Sequence, residues 1–194
     1  MLREPALRLV NSEQGTNLEA VQALVSSYFD EVWRLLRRLG LPEADADDAA
    51  QQVFTIACRR VTSIEVGRGR AFLYGCAINY AAKWRESKYA RIQPTATGEL
   101  DGVDLADDDL PSLDELVDRH AARRLLDALL ERMPDDLRTV FVLFEFEEQS
   151  LNEIAGLLGI PRGTAASRLR RAREDFAKRS GRLEKQLRGR GGAR

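Results

Sequence analysis

Cysteine and histidine are almost missing: Cys58, Cys76 and His120 are the only ones in 194 residues. Three scattered residues cannot supply the paired spacing of a zinc site or a disulfide framework. No Gly-rich phosphate loop and no nucleophile set beside a base is found either. An enzyme is therefore disfavoured, and neither metal nor cofactor is expected. Both cysteines sit among apolar residues, which predicts buried free thiols and fits a reducing cytoplasm. No apolar run approaches the ~20 residues that cross a bilayer. The opening MLREPALRLVNSEQG has no long apolar stretch, so no signal peptide is expected. Proline and glycine are sparse inside the apolar segments, and few runs alternate as strands do. The predicted class is all-α.

Charge is plentiful but segregated. Charged residues make up 31% of the chain, yet the net charge is −1. Residues 162–194 hold twelve Lys/Arg against three Asp/Glu, whereas residues 99–118 hold nine Asp/Glu and no Lys or Arg. Such asymmetry predicts a part that binds a polyanion and a separate acidic connector. Apolar residues recur at helical spacing from Leu18 to Leu39, where Gly40 and Pro42 end the helix. A second helix over about 43–61 carries Glu43, Asp45, Asp47 and Asp48 near its positive end, with Val53 and Phe54 as core. VGRGR (66–70) is a loop, and a third helix with Phe72, Leu73, Cys76, Ala77, Tyr80 and Trp84 fades by Arg91. Residues 92–117 are too acidic and polar to pack. Helices resume with Leu125, Leu126, Leu129, Leu130 and Met133, break at Pro134, and continue through Leu137, Val140, Phe141 and Phe144. His120 is expected at the surface near the start of its helix. The chain thus divides into an N-terminal extension (1–17), a helical domain (18–91), a flexible acidic linker (92–117), a second helical domain (118–178) and a basic disordered tail (179–194).

The stretch 150-SLNEIAGLLGIPRGTAASRLRRARE-174 carries the chemistry. Ser150 and Glu153 form an S-x-x-E capping box that starts a short helix. Gly159 turns the chain, and Pro161 suits the first turn of the next helix, where a missing N–H costs nothing. This is the pattern of a helix-turn-helix. On the second helix Ala165, Leu169, Ala172 and Phe176 share one arc and predict the inside. Gly163, Ser167, Arg170 and Arg171 lie opposite, flanked by Thr164, Ala166 and Arg168. Small residues at the N-terminus let a helix enter a major groove, and arginines behind them reach base edges or phosphates. Arg162, Thr164, Ala166, Ser167, Arg168, Arg170, Arg171 and Arg173 are the candidate DNA contacts.

With these residues in view, the chain resembles a sigma factor of the extracytoplasmic-function group of the sigma-70 family. MPDDLRTVFVLFEFEEQSLNEIAGLLGIPRGTAASRLRRARE (133–174) follows that family's region-four pattern without a gap. DADDAAQQVFTIACRR (45–60) resembles the region-two motif with Asp48, Gln51 and Phe54 in register, and RAFLYGCAINYAAKW (70–84) resembles the promoter-melting helix, with Asn79 in its usual place. Phe72 stands where Trp is usual, Gln52 and Lys83 where acids are usual, and Ala166 where a long polar side chain is common. These departures bear on promoter preference rather than on class. The resemblance implies binding to core RNA polymerase, through region two on the clamp coiled coil and region four on the flap. It implies opening of the −10 element by region two and reading of the −35 element by region four. An anti-sigma factor is an implied partner, and a monomer is expected when free.

The residues support these roles physically. Asp45, Asp48, Gln51 and Gln52 give a polar helix face suited to a basic partner. Opening DNA means holding an unstacked base, which costs about a few kcal/mol, against which aromatic stacking returns ~1–3 kcal/mol per base. Aromatics and cations do mingle on the third helix, where Arg70, Asn79, Lys83 and Trp84 are the candidates. The alternative is another helix-turn-helix regulator, which leaves the D-x-x-Q-x-x-F register unexplained. Two readings of the tether stay open: a solvated spacer, or an acidic mask over the recognition helix that weakens with salt.

Overall fold

The computed structural model describes residues 15–65, 67–92 and 119–191; the side chains of 15–18, 89–92, 119–121 and 187–191 lie outside that description. Its helices are α1 (Gly15–Arg38), α2 (Glu43–Arg60), α3 (Gly69–Ile92), α4 (Arg119–Glu131), α5 (Asp135–Glu145), α6 (Leu151–Leu158) and α7 (Arg162–Gly191), with one 3-10 turn at Val61–Ser63. No strand occurs among the described residues.

In the N-terminal half, α1 buries a stripe of Leu24, Val32, Leu35, Leu36 and Leu39. Helix α2 answers with small residues, Ala46, Ala49, Ala50 and Ala57, around Val53 and Phe54, which lets the helices approach closely. From α3 come Leu73, Tyr74, Ala77 and Ala81. A fully buried Leu or Val side chain stabilises by about 1.5–3 kcal/mol. The stripe therefore outweighs the weak start of α2, where Pro42 offers no side-chain cap. Gly40 (φ 98°) ends α1, and Leu41 N–H returns to Leu36 C=O at 3.2 Å, the Schellman pattern that a left-handed residue permits.

The C-terminal half is built on α5, whose Val140, Phe141, Val142 and Leu143 are buried. Ala165, Leu169 and Ala172 of α7 close on it, and Phe176 stacks on Phe141 with ring centroids 4.9 Å apart. The inward arc expected for the recognition helix is the observed one.

The two halves do not hang apart. Their buried residues form one continuous core, and polar contacts ring the end of α1. Arg85 of α3 and Arg138 of α5 both donate to Leu39 C=O, at 2.8 and 3.0 Å. Cations at a helix C-terminus meet its negative end and its unpaired carbonyls. Arg85 also pairs with Asp135 at 3.0 Å, and Arg37 with Asp127 at 3.1 Å. This docking was not expected from the sequence.

Two further expectations are corrected. The segment 179–194, expected to be a disordered tail, is helical to Gly191, and Leu183 is buried against Leu129. That apolar contact lies about two helical turns beyond Phe176 and extends the inward face past residue 178. The cysteines are not buried: Cys58 is exposed and Cys76 half-buried. On α2 the inward stripe runs through Ala57 to Val61, which leaves position 58 on the outer side. Burial still pushes the Cys76 thiol pKa up. The tether expected at 92–117 lies outside the described residues apart from Ile92, the last residue of α3.

Candidate nucleic-acid and polymerase interface

The helix-turn-helix is assembled by local chemistry. Ser150 Oγ accepts from Glu153 N–H at 3.3 Å, and the Glu153 carboxylate accepts from Ser150 N–H at 2.8 Å. Gly159 takes the left-handed conformation at φ 63°, and Ile160 N–H reaches back to Ala155 C=O at 3.0 Å. The first turn of α7 is closed by Ala165 N–H on Pro161 C=O at 3.1 Å. Ser150→Ala should cost about 1 kcal/mol, read as a lower urea midpoint at an unchanged slope. The Ser150 bonds hold the Glu153 carboxyl below its ordinary value. With the folded value the lower one, the stability from that carboxylate is present above the unfolded pKa. It is lost as pH falls through the folded pKa.

On α7 the candidate DNA contacts separate into two groups. Arg162, Arg170 and Arg171 are exposed on the outer face. Among the described residues Arg170 pairs with Glu174 on its own helix, at 2.8 Å. Arg162 and Arg171 make no ion pair among the described residues. Thr164, Ala166 and Ser167 are half-buried beside them, and Ser167 Oγ donates to Thr164 C=O at 3.0 Å. Arg168 and Arg173 turn toward α5. Arg168 meets Asp136 at 3.3 Å. Arg173 meets Glu145 at 2.7 Å and lies over the Phe144 ring. No described residue of the N-terminal half covers the outer face of α7.

On α2, Asp48, Gln51 and Gln52 are exposed and Asp45 is half-buried, while Val53 and Phe54 turn into the core as expected. Ile56, the one large hydrophobic exposed among the described residues, lies on the same side. Asp47 is engaged by Trp33, whose Nε1–H donates to Oδ1 at 2.7 Å.

On α3, Asn79 and Lys83 are exposed one turn apart. Trp84 is half-buried against the core, with Lys88 Nζ 5.0 Å from its ring centroid. Phe72 and Tyr80 are also partly buried there. Arg70 is placed differently from the others. Its Nε–H donates to Glu31 at 2.6 Å, and its Nη2 donates to the Tyr74 hydroxyl at 3.0 Å and to Glu147 C=O at 3.2 Å. The Glu147 side chain is buried, pairs with Arg38 at 2.8 Å, and accepts the Tyr74 hydroxyl. Burial first, and then Glu147, raise the Tyr74 pKa, so the phenol stays neutral. Sequence reasoning missed Glu31, Arg38 and Glu147, and counted Tyr74 only among the aromatics of the third helix. The signal within reach was local: Tyr74 follows Arg70 by one turn, and 145-EFEEQ-149 puts three acids between two apolar helices.

An all-helical pair of domains, the second a helix-turn-helix with a free basic face, defines a DNA-binding transcription protein. The Sigma-70 region 2 family model matches residues 24–90, and the Sigma-70, region 4 model matches residues 123–176. The chain belongs to the sigma-70 family, in its ECF group, and is an RNA polymerase sigma factor. It is 32% identical over 176 residues to the ECF RNA polymerase sigma-E factor of Haemophilus influenzae, covering 86% of this chain and 90% of that one. It is 30% identical to the ECF RNA polymerase sigma factor SigW of Bacillus subtilis, covering 82% and 88%. Two solved structures share the fold. One is CnrH in complex with the cytosolic domain of CnrY, with a TM-score of 0.62, 22% identity, and 89% and 92% of the two chains covered. The other is the sigma factor RpoE with the anti-sigma factor NepR from Bartonella quintana, with a TM-score of 0.64, 19% identity, and 82% and 96% covered.

Proposed function

We propose a division of labour among three helix faces of this sigma factor. The outer face of α2, with Asp45, Asp48, Gln51 and Gln52, receives the polymerase clamp coiled coil. The α3 residues Arg70, Asn79, Lys83 and Trp84 hold the opened −10 strand. The N-terminal half of α7 reads the −35 duplex: Arg162, Arg170 and Arg171 bear on bases or phosphates, and Thr164, Ala166 and Ser167 allow close approach. Arg168 and Arg173 lie at the edge of that footprint, where they reach the DNA backbone by leaving Asp136 and Glu145. Residues 18–91 and 118–178 are the two working domains, the tether between them runs through the polymerase, and the C-terminal domain rests on the flap. A cytoplasmic location suits these partners, and no helix among the described residues is long and apolar enough to cross a membrane. The free chain is a monomer, and its further partner is an anti-sigma factor, as for the solved relative bound to NepR.

The observation that carries the −35 assignment is the exposed Arg171, without an ion pair among the described residues, beside a small-residue helix entry. If Arg171 forks onto a guanine, Arg171→Ala costs ~1–3 kcal/mol and relaxes one base position. Binding to a −35 duplex library by the full chain with core polymerase checks this. Uniform weakening on every sequence would reassign Arg171 to a phosphate.

A further inference from the structure

We propose that the continuation of α7 past the region 4 match is a second DNA contact, in which Lys178, Arg182 and Lys185 grip the phosphate backbone beside the −35 element. The inference rests on the reading of the N-terminal half of α7 as the −35 reader. The family model ends at residue 176, whereas α7 runs on to Gly191. Gly181 weakens a helix at this point. The extension holds because Leu183 is buried against Leu129 of α4, with Leu125 and Phe176 packed beside them. That contact fixes which way the other side chains turn. Lys178, Arg182 and Lys185 are all exposed, and with Arg171 they stand at i, i+7, i+11 and i+14. At 3.6 residues per turn these four positions share an arc of about 60°. Leu183 lies on the other side of the helix, in line with Phe176.

The stripe carries uncompensated charge. The acids nearest to it are held by other arginines of α7: Glu174 by Arg170 at 2.8 Å and Asp175 by Arg179 at 2.6 Å. Glu184 lies off the arc. Lys178, Arg182 and Lys185 make no ion pair among the described residues. Nor do they stand in the last turn of α7, where the negative helix end would account for them. Charge and continuity with the reading face name the partner. Duplex DNA presents one phosphate charge per ~1.7 Å of its axis. A recognition helix sets its N-terminal residues on base edges, so its later turns pass over the backbone that walls the groove. Lys185 is ~21 Å along the axis from Arg171 at 1.5 Å per residue. That distance carries the stripe off the bases of the element and over the flanking phosphates. Such contacts add affinity and fix register without reading sequence, which leaves base choice to the first turns of α7.

The test uses the full chain with core polymerase and −35 duplexes that either end flush with the element or extend by about ten base pairs, one helical turn, to one side. Lys178→Gln/Arg182→Gln/Lys185→Gln keeps good helix formers and leaves Leu183 in place. On one of the two extended duplexes it should lower the salt slope of log K by about 2.7, which is 0.9 for each of three phosphate contacts. The wild-type advantage there should grow about 40-fold as salt falls from about 0.2 to 0.05 M. On the flush duplex the two proteins should bind nearly alike. Leu183→Ala keeps every charge but releases the extension from α4, and should lose part of the same advantage at unchanged affinity for the flush duplex. Equal slopes for wild type and the triple variant on every duplex overturn the inference. A loss confined to core-polymerase affinity also overturns it, and assigns the stripe to an acidic protein surface. A full wild-type slope in Leu183→Ala overturns the anchored geometry and leaves a simple basic tail. Arg171→Ala separates the two readings, because it should weaken flush and extended duplexes together. If it weakens neither, the fault lies in the −35 assignment.

Discussion

Arg138→Ala should lose about 3–5 kcal/mol of unfolding free energy, because it takes a buried cation away from three backbone carbonyls that it bridges. Arg138 is 4% exposed. It donates to Met133 C=O at 2.9 Å and to Glu131 C=O, which closes the end of α4, and to Leu39 C=O at 3.0 Å across the docking surface. The space it fills is bounded by Gly40, where a Cβ would lie 2.3 Å from its Nη1. Arg138→Lys should recover only part of the loss, since an ammonium is a point donor and cannot span carbonyls on two sides. Urea unfolding of the full chain reads both values. A loss under about 1 kcal/mol for the alanine variant, the net worth of an ordinary hydrogen bond, would contradict this account of how the halves are joined.

Asp48→Ala with Gln51→Ala should weaken binding to core polymerase by about 30-fold or more, the ~2 kcal/mol of an interface hot spot. Both side chains are exposed on α2, and neither makes a side-chain hydrogen bond among the described residues. Stability should therefore move by less than about 0.5 kcal/mol, as surface changes do. Titration of labelled core polymerase, paired with a melting curve of each variant, separates the two quantities. Unchanged affinity would remove this face from the polymerase contact, and a collapsed melting temperature would make the residues structural.

Local chemistry was legible in the sequence, and long-range polar chemistry was not. The capping box at Ser150, the left-handed turn at Gly159 and the arc of Ala165, Leu169 and Ala172 each depend on residues within a few turns. Spacing rules reach that far. The extent of α2 and the inward turn of Val53 and Phe54 follow from the same periodicity, whereas its alanine-rich inner face was not read from the sequence. The docking of the halves has no such signature. Arg38, at the end of α1, and Glu147, in the loop between α5 and α6, are charged residues that read as surface, and they are 109 positions apart. Arg138 stands in the quoted region-four pattern, but its partner across the interface is a backbone carbonyl, which no side-chain pattern reveals. Arg70 was picked for its charge beside aromatics, and the structure shows that charge already engaged. The cysteines misled because apolar neighbours in sequence are not neighbours on a helix face.

The claim that this chain directs initiation is tested most directly by sequencing the RNA 5′ ends made on genomic DNA by core polymerase with and without it. The account predicts a set of start sites that appears only when the chain is added, shares upstream elements at −35 and −10, and disappears with Asp48→Ala/Gln51→Ala. No new start sites, together with tight binding of duplex DNA in the absence of polymerase, would contradict it.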